Sequence, residues 1–292
     1  MSAVMCPSRF GIALLAAAFI VCGGRSVEAQ TALTTCGQEI VGDAYLTGDL
    51  SCSPDTQFAV LLDNGHLDLA GFTLSGAEYG VFCARHTGEF AMNGQEFFRY
   101  VTCSVSNGTI GAIELGVDGR EVRLTDVTIA LTGGGEFHFA AIAQKRLRFA
   151  NVVMQLPADG VGFHGTIDGK IEGTNLTIIG GAAAIIQASK VRIDGLTASG
   201  YSDHGIDALS VQLENSSLAG GSGARFGAAA RNVRIGSSTV TGHAAAGVNG
   251  HKVKVVDSTV TGNGTDIQSD RPPKLKNTTC DTSNGWGVCA ND

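Results

Sequence analysis

The sequence predicts an all-β chain, a single-stranded right-handed parallel β-helix, in other words a solenoid of about ten coils with disulfide-closed ends. Three observations carry that expectation. With 41 Gly, 5 Pro and small or β-branched residues throughout, the chain offers hardly a run of good helix formers after residue 30. One eight-residue phrase recurs ten times at a spacing near twenty residues. Within the phrase, apolar and polar residues alternate as they do along a strand with one buried face.

Residues 1–29 read as a secretory signal. Arg9 precedes the apolar run Ile12 to Val21, and the small-residue site Val27-Glu28-Ala29 predicts cleavage between Ala29 and Gln30. Val21 before Cys22 is too large for a lipoprotein signal. No later segment approaches the roughly 18 apolar residues of a membrane span, so the expected location is secreted or periplasmic, with no transmembrane segment in the mature chain. An N-terminal cap and first coil are expected over 30–66, the solenoid over 67–280 and a C-terminal cap over 281–292.

The phrase begins LDLAGFTL at 67 and continues as CSVSNGTI at 103, VRLTDVTI at 122, LRFANVVM at 147 and IEGTNLTI at 171. It returns as VRIDGLTA at 191, VQLENSSL at 211, VRIGSSTV at 233, VKVVDSTV at 253 and PKLKNTTC at 273. Its fifth residue is Gly71, Asn107, Asp126, Asn151, Asn175, Gly195, Asn215, Ser237, Asp257 or Asn277. These residue types tolerate a left-handed backbone, so this position is the expected corner of each coil. Two residues on, a Thr or Ser stands in nine of the ten copies, from Thr73 to Thr279, and predicts a stacked hydroxyl ladder. A second short motif, as in HGID at 204 and AGVN at 246, supplies another strand of the coil. Nine intervals of about 4.8 Å give a rod roughly 43 Å long.

Six cysteines remain after the signal, an even number that suits an oxidising compartment. Proximity suggests Cys36 with Cys52, Cys83 with Cys103 and Cys280 with Cys289, although six cysteines allow fifteen pairings.

The corner Asn, the coil length and the opening CGQEIVGDAYLTGDLSC resemble the secreted right-handed β-helix proteins of the pectate-lyase-like superfamily, with no specific enzyme family matched. The resemblance spans nearly all of 36–280. It implies the fold and leaves activity open, because that superfamily holds polysaccharide lyases, uronan epimerases, glycoside hydrolases, tailspikes and binding proteins.

Charge is the most informative surface feature. Without Arg9, Arg25 and Glu28 the chain holds 18 basic against 26 acidic residues, a net charge of −8. Ten of the eighteen basic residues are Arg123, Arg146, Arg148, Lys170, Lys190, Arg192, Arg234, Lys252, Lys254 and Lys274, all expected at outward positions of one sheet. Like charges about 5 Å apart repel by about 1 kcal/mol even in water. The column is therefore either a solvated face laced with ion pairs to Glu121, Glu172, Asp194 and Glu214, or a groove for an extended polyanion. An acidic polysaccharide or cell-envelope polymer suits an exported rod. Nucleic acid does not, since the aromatic interleaving of single-strand binders is missing. Arg148, Lys170, Lys190, Arg192, Arg234 and Lys254 are the expected substrate contacts.

Enzymes of the resembled superfamily hold Ca²⁺ on clustered carboxylates while a Lys or Arg takes the neighbouring proton. Asp194 and Glu214 are the only adjacent carboxylates of this kind here; they form either a Ca²⁺ site or a salt-bridge network with Lys190, Arg192 and Arg234. Ca²⁺ is the only cofactor the sequence suggests. A second candidate is the loop carrying Tyr201, Asp203, His204 and Asp207, flanked by His164, Arg225 and His243. Tyr, His, Asp and Arg serve alginate lyases and epimerases. The stretch from Ser202 to Asp207 also resembles the acid motif of polygalacturonases. It departs from that motif at His204, and the next coil lacks the paired aspartates of inverting hydrolysis, so a lyase or C5-epimerase is the expected enzyme if there is one. The alternative is a binding module without chemistry. Phe90, Phe97, Phe98 and Tyr100 in the insertion from Ala84 to Thr102 form either a sugar-stacking lid or a cap on the first coils. Sequons at Asn107, Asn175, Asn215 and Asn277 follow from the corner repeat itself.

Overall fold

A computed structural model describes residues 30–90, 96–133, 138–165, 168–181 and 184–290. Residues 1–29, read in the sequence as a secretory signal, lie outside the described residues. The described chain is all-β, a parallel solenoid of about ten turns.

One coil shows how the sequence makes the turn. The strand His204–Glu214 pairs with the preceding coil from His204 to Ala208, omits Leu209 and resumes at Ser210. The chain bends at Leu209, which is exposed, and bends again at Asn215, whose φ is 50°. A short segment, Ser217–Ala219, completes the coil. Each such coil therefore presents three faces: a first built from the GID-type motif, a second from the phrase and a third from its Thr-bearing end.

Every one of the ten expected corners has positive φ, from Gly71 at 86° and Gly195 at 78° to Asn151 at 54° and Asn277 at 48°. An L-residue there costs roughly 1–2 kcal/mol of backbone strain, which Asn and Asp partly offset through side-chain bonds between coils. Asn151 donates to Asp126 at 2.8 Å, Asn175 to Asn151 at 2.8 Å, Asn215 to Asp194 at 2.7 Å and Asn277 to Asp257 at 2.8 Å. The first corner differs. Leu67 pairs with Val105 rather than Cys103, and Thr73 with Thr109, so this turn carries two extra residues, with Ala70 and Gly71 both left-handed.

The Thr column also stacks in register, for example Thr177, Thr197, Ser217, Thr239, Thr259 and Thr279. The hydrogen-bonded ladder, however, lies one residue earlier and inside. The Ser216 amide donates to Ser238 Oγ at 2.9 Å and the Ser238 amide to Ser258 Oγ at 3.1 Å. Each hydroxyl donates in turn to a carbonyl of its own coil, as Ser238 does to Gly236 at 2.6 Å. Buried amides at a corner have no strand partner, and these hydroxyls supply one.

The interior is built from apolar columns such as Val191, Val211, Val233 and Val253, and Ile186, Ile206, Ala228 and Val248, all buried. Gly173 breaks the apolar pattern of its phrase for a packing reason: an added Cβ would meet Phe149 Cδ2 at 2.6 Å. The Phe149 ring of the preceding coil occupies that space, 5.2 Å from Phe163.

All three disulfides pair as proximity suggested: Cys36–Cys52, Cys83–Cys103 and Cys280–Cys289. Cys83 and Cys103 bracket a two-stranded antiparallel hairpin, Ala84–Phe90 with Glu96–Tyr100. At the far end the buried Asp266 accepts the amides of Asp281 and Thr282, and the Trp286 indole donates to Ser269 O at 2.9 Å. These contacts tie the C-terminal segment over the last coil. Among the described residues no helix is long and apolar enough to cross a membrane.

Candidate polyanion-binding face

The ladder pairings settle where the basic residues lie. One outward column of the second face runs Ser104, Arg123, Arg148, Glu172, Arg192, Gln212, Arg234, Lys254, Lys274, each paired in register with the next. Beside it runs Glu121, Arg146, Lys170, Lys190, Ser210, Asn232, Lys252. All ten basic residues singled out in the sequence stand in these two columns. Strand alternation puts their neighbours Val191, Val211, Val233 and Val253 inside, so the charged chains project outward at one interval per coil.

The two halves of the face differ in electrostatics. Toward the N-terminus the acids interleave. Glu172 lies 2.8 Å from Arg148 Nε and 3.7 Å from Arg146 Nε, and Glu121 lies 2.9 Å from Lys145. The hydrogen bond from Arg148 holds the Glu172 carboxyl below the usual range, and Lys145 does the same for Glu121. Toward the C-terminus neutralisation fades. Arg234 is 4.0 Å from Glu214. Among the described residues Arg123, Lys170, Lys190, Arg192, Lys252, Lys254 and Lys274 join no ion pair on this face.

Shallow concavities lie along it. One of about 530 Å³ runs between Arg234, Lys252, Lys254, Arg271 and Lys274, with Gln212 and Asn232 offering amides. A neighbour of about 260 Å³ adds Lys276 and Glu214. Arg271 and Lys276 were not singled out in the sequence. Lys276 occupies the fourth position of its phrase, where earlier coils carry Asp194 and Glu214, and that exchange of sign was the available signal.

Asp194 and Glu214 are register partners. Asp194 accepts the Asn215 amide and thereby belongs to the corner ladder. Glu214 faces Arg234 and lies over Gly236, where an added Cβ would meet its carboxylate. Ca²⁺ takes six to eight oxygens. Among the described residues no group of three or more His, Cys, Asp or Glu converges to supply them.

The structure divides the 201–207 candidates. Asp203 and His204 form a pair, with His204 Nδ1 2.8 Å from Asp203 Oδ2. Arg225 is 4.0 Å from the other Asp203 oxygen, and the His204 ring stacks on Phe226 at 4.9 Å. Asp207 projects to solvent in the column of Gln187 and Ala229. Tyr201 does not join them. It is fully buried, and its hydroxyl meets His243 Nε2 at 2.6 Å, while His243 Nδ1 meets Asn263 Oδ1 at 2.8 Å. The amide oxygen can only accept, so Nδ1 carries the proton and Tyr201 donates to Nε2. Burial pushes the Tyr201 hydroxyl far up and the His243 imidazole down, which keeps both neutral. This chain of bonds ties three coils together in the core. His164 accompanies Gln187 at 3.0 Å on the first face and stands apart from Asp203 and His204.

No protein-family model, curated protein or solved structure matches this chain. The fold admits many activities, so the function rests on what these side chains do.

Proposed function

We propose that the protein is exported and binds an extended acidic polymer, a uronate-type polysaccharide or a cell-envelope polyanion, along the second face of the solenoid. The carrying observation is the in-register column from Arg192 through Arg234 and Lys254 to Lys274. A linear array of cations, most of them without an acid partner among the described residues, has a cost, and a linear polyanion relieves it. Arg148 extends the same track, and Lys170, Lys190 and Lys252 widen it. Three disulfides accord with an oxidising compartment, as the likeness to secreted β-helix proteins of the pectate-lyase-like superfamily suggests. The open surface favours binding without catalysis, since the concavities are shallow and, among the described residues, no Asp, His and Arg converge on one point of this face.

A second reading, a lyase or C5-epimerase on uronate chains, is favoured by one observation, the Asp203–His204 pair at 2.8 Å with Arg225 beside it. An Asp that orients an imidazole is a general-base arrangement.

Retention on immobilised alginate, polygalacturonate and chondroitin decides between them. Binding is expected to weaken as salt rises. Arg234→Ala combined with Lys254→Ala should remove most of the retention, and no unsaturated product should appear. Unsaturated product that disappears in His204→Ala would establish the lyase, and retention indifferent to salt and to both substitutions would overturn the basic-face reading.

A further inference from the structure

A different site lies on the first face, near the N-terminal end. Phe58, Tyr79, Leu115 and Phe139 are consecutive register partners there, and so, one pleat over, are Phe82, Asp118 and Ile142. The hairpin closed by Cys83–Cys103 brings His86, Phe98 and Tyr100 over them. Phe82 stands edge-on to Phe98 at 5.3 Å and to Tyr100 at 5.6 Å, and Phe98 edge-on to Phe58 at 6.3 Å. The hairpin aromatics thus pack on the first coils, and they also leave open a cleft of about 640 Å³ walled by these rings.

The polar content of the cleft is one-sided. Asp118 and Glu114 line it, Glu78 adjoins Tyr79, and no Lys or Arg is among the described residues lining it. Asp118 is only 6% exposed, in a position between the apolar Phe82 and Ile142. The Tyr100 hydroxyl and the Gly119 amide bond to its carboxylate, yet Oδ1 is buried with no hydrogen-bond partner. A buried oxygen without a partner is costly, and one that lines an aromatic cleft marks where a donor belongs. Ring faces attract cations, and a carboxylate beneath them supplies the counter-charge.

We propose that this cleft binds a small organic cation, its ammonium group seated among Phe58, Tyr79, Phe82, Phe98 and Tyr100 with Asp118 Oδ1 as its counter-ion. The site is distinct from the basic face in both location and sign, so a polyanion on one and an ammonium ligand on the other do not compete.

The test is calorimetric titration of the full, oxidised chain with choline, with ethanolamine and with dimethylbutanol, the uncharged carbon isostere of choline, at constant ionic strength. Choline or ethanolamine is expected to bind and dimethylbutanol not to; the two amines separate a methylated from a primary ammonium ligand. Asp118→Asn and Phe98→Ala should each weaken binding about tenfold, the scale of a lost charge-assisted bond or cation–π contact. Lowering the pH from about 8 to about 5 should weaken binding as Asp118 takes up a proton. Glu78, Glu114, His86, Tyr79 and Tyr100 share the site, so the part of the pH effect lost in Asp118→Asn belongs to Asp118. Should Asp118→Asn fail to fold, the isostere comparison, Phe98→Ala and the pH profile of the unaltered chain still decide. Equal binding of dimethylbutanol, no heat with either amine, or affinity untouched by Phe98→Ala and by pH would overturn the proposal.

Discussion

At the scale of single residues, burial decides which polar groups are structural and which are available. Ser238 is structural, because its hydroxyl accepts the Ser216 amide and donates to Gly236 O. Ser238→Ala leaves a buried amide without a partner and is expected to cost about 1–3 kcal/mol in denaturant unfolding. Asp118 is the opposite case. Burial raises its carboxyl from 3.8 to about 7, against the opposing bonds from Tyr100 and Gly119. The folded chain then holds a proton that the unfolded chain has already released between pH near 4 and near 7, so this group's contribution to stability falls as pH rises through that window and is level above it. Asp118→Asn has no such proton, and its Tm relative to the unaltered chain should rise between pH 4 and pH 8. A constant difference would mean that Asp118 is better solvated than its 6% exposure implies.

At the scale of the element, the outward column behaves as one object whose charge the interleaved acids set. Glu172 engages Arg146 and Arg148 in the N-terminal half of the face. Glu172→Gln should release both, raise retention on polygalacturonate and steepen its salt dependence, while Glu39→Gln, far from this column, should change neither. A fall in retention would mean that Glu172 orients the arginines for the polymer. The recurring phrase makes the column legible in the sequence, since period-two alternation puts the second residue of each copy outward. It did not reveal which cations are neutralised, because that depends on side-chain reach across neighbouring coils.

At the scale of the whole molecule, a solenoid has two ends and no closing sheet, so its terminal coils need covering. Cys280–Cys289, Asp266 and Trp286 do this at the C-terminus. Replacing both cysteines with Ser should lower stability by about 2–3 kcal/mol in the chain-entropy model for so short a loop. It should also raise hydrogen exchange first in Thr265–Ser269 and Lys274–Lys276. Exchange rising uniformly along the rod would show that the coils unfold together and the cap has no local role.

The sequence alone determined the coil period, the ten corners and the gathering of ten basic residues on one face; for the cysteines, proximity suggested the three pairs that the structure shows. These properties are local or repeated: a left-handed φ needs only Asn, Asp, Gly or Ser at one position, and ten copies average out the ambiguity of any one. Only the tertiary structure decided the rest. It moved the bonded hydroxyl ladder from the Thr column to the buried Ser column, separated Tyr201 from Asp203 and His204, and paired Glu172 with Arg146 and Arg148 and Glu214 with Arg234. It also set Asp118 among the rings of the hairpin aromatics. Those outcomes depend on which residues of different coils become neighbours, and that is set by bend positions and by loops of unequal length, whose effects the repeat does not encode.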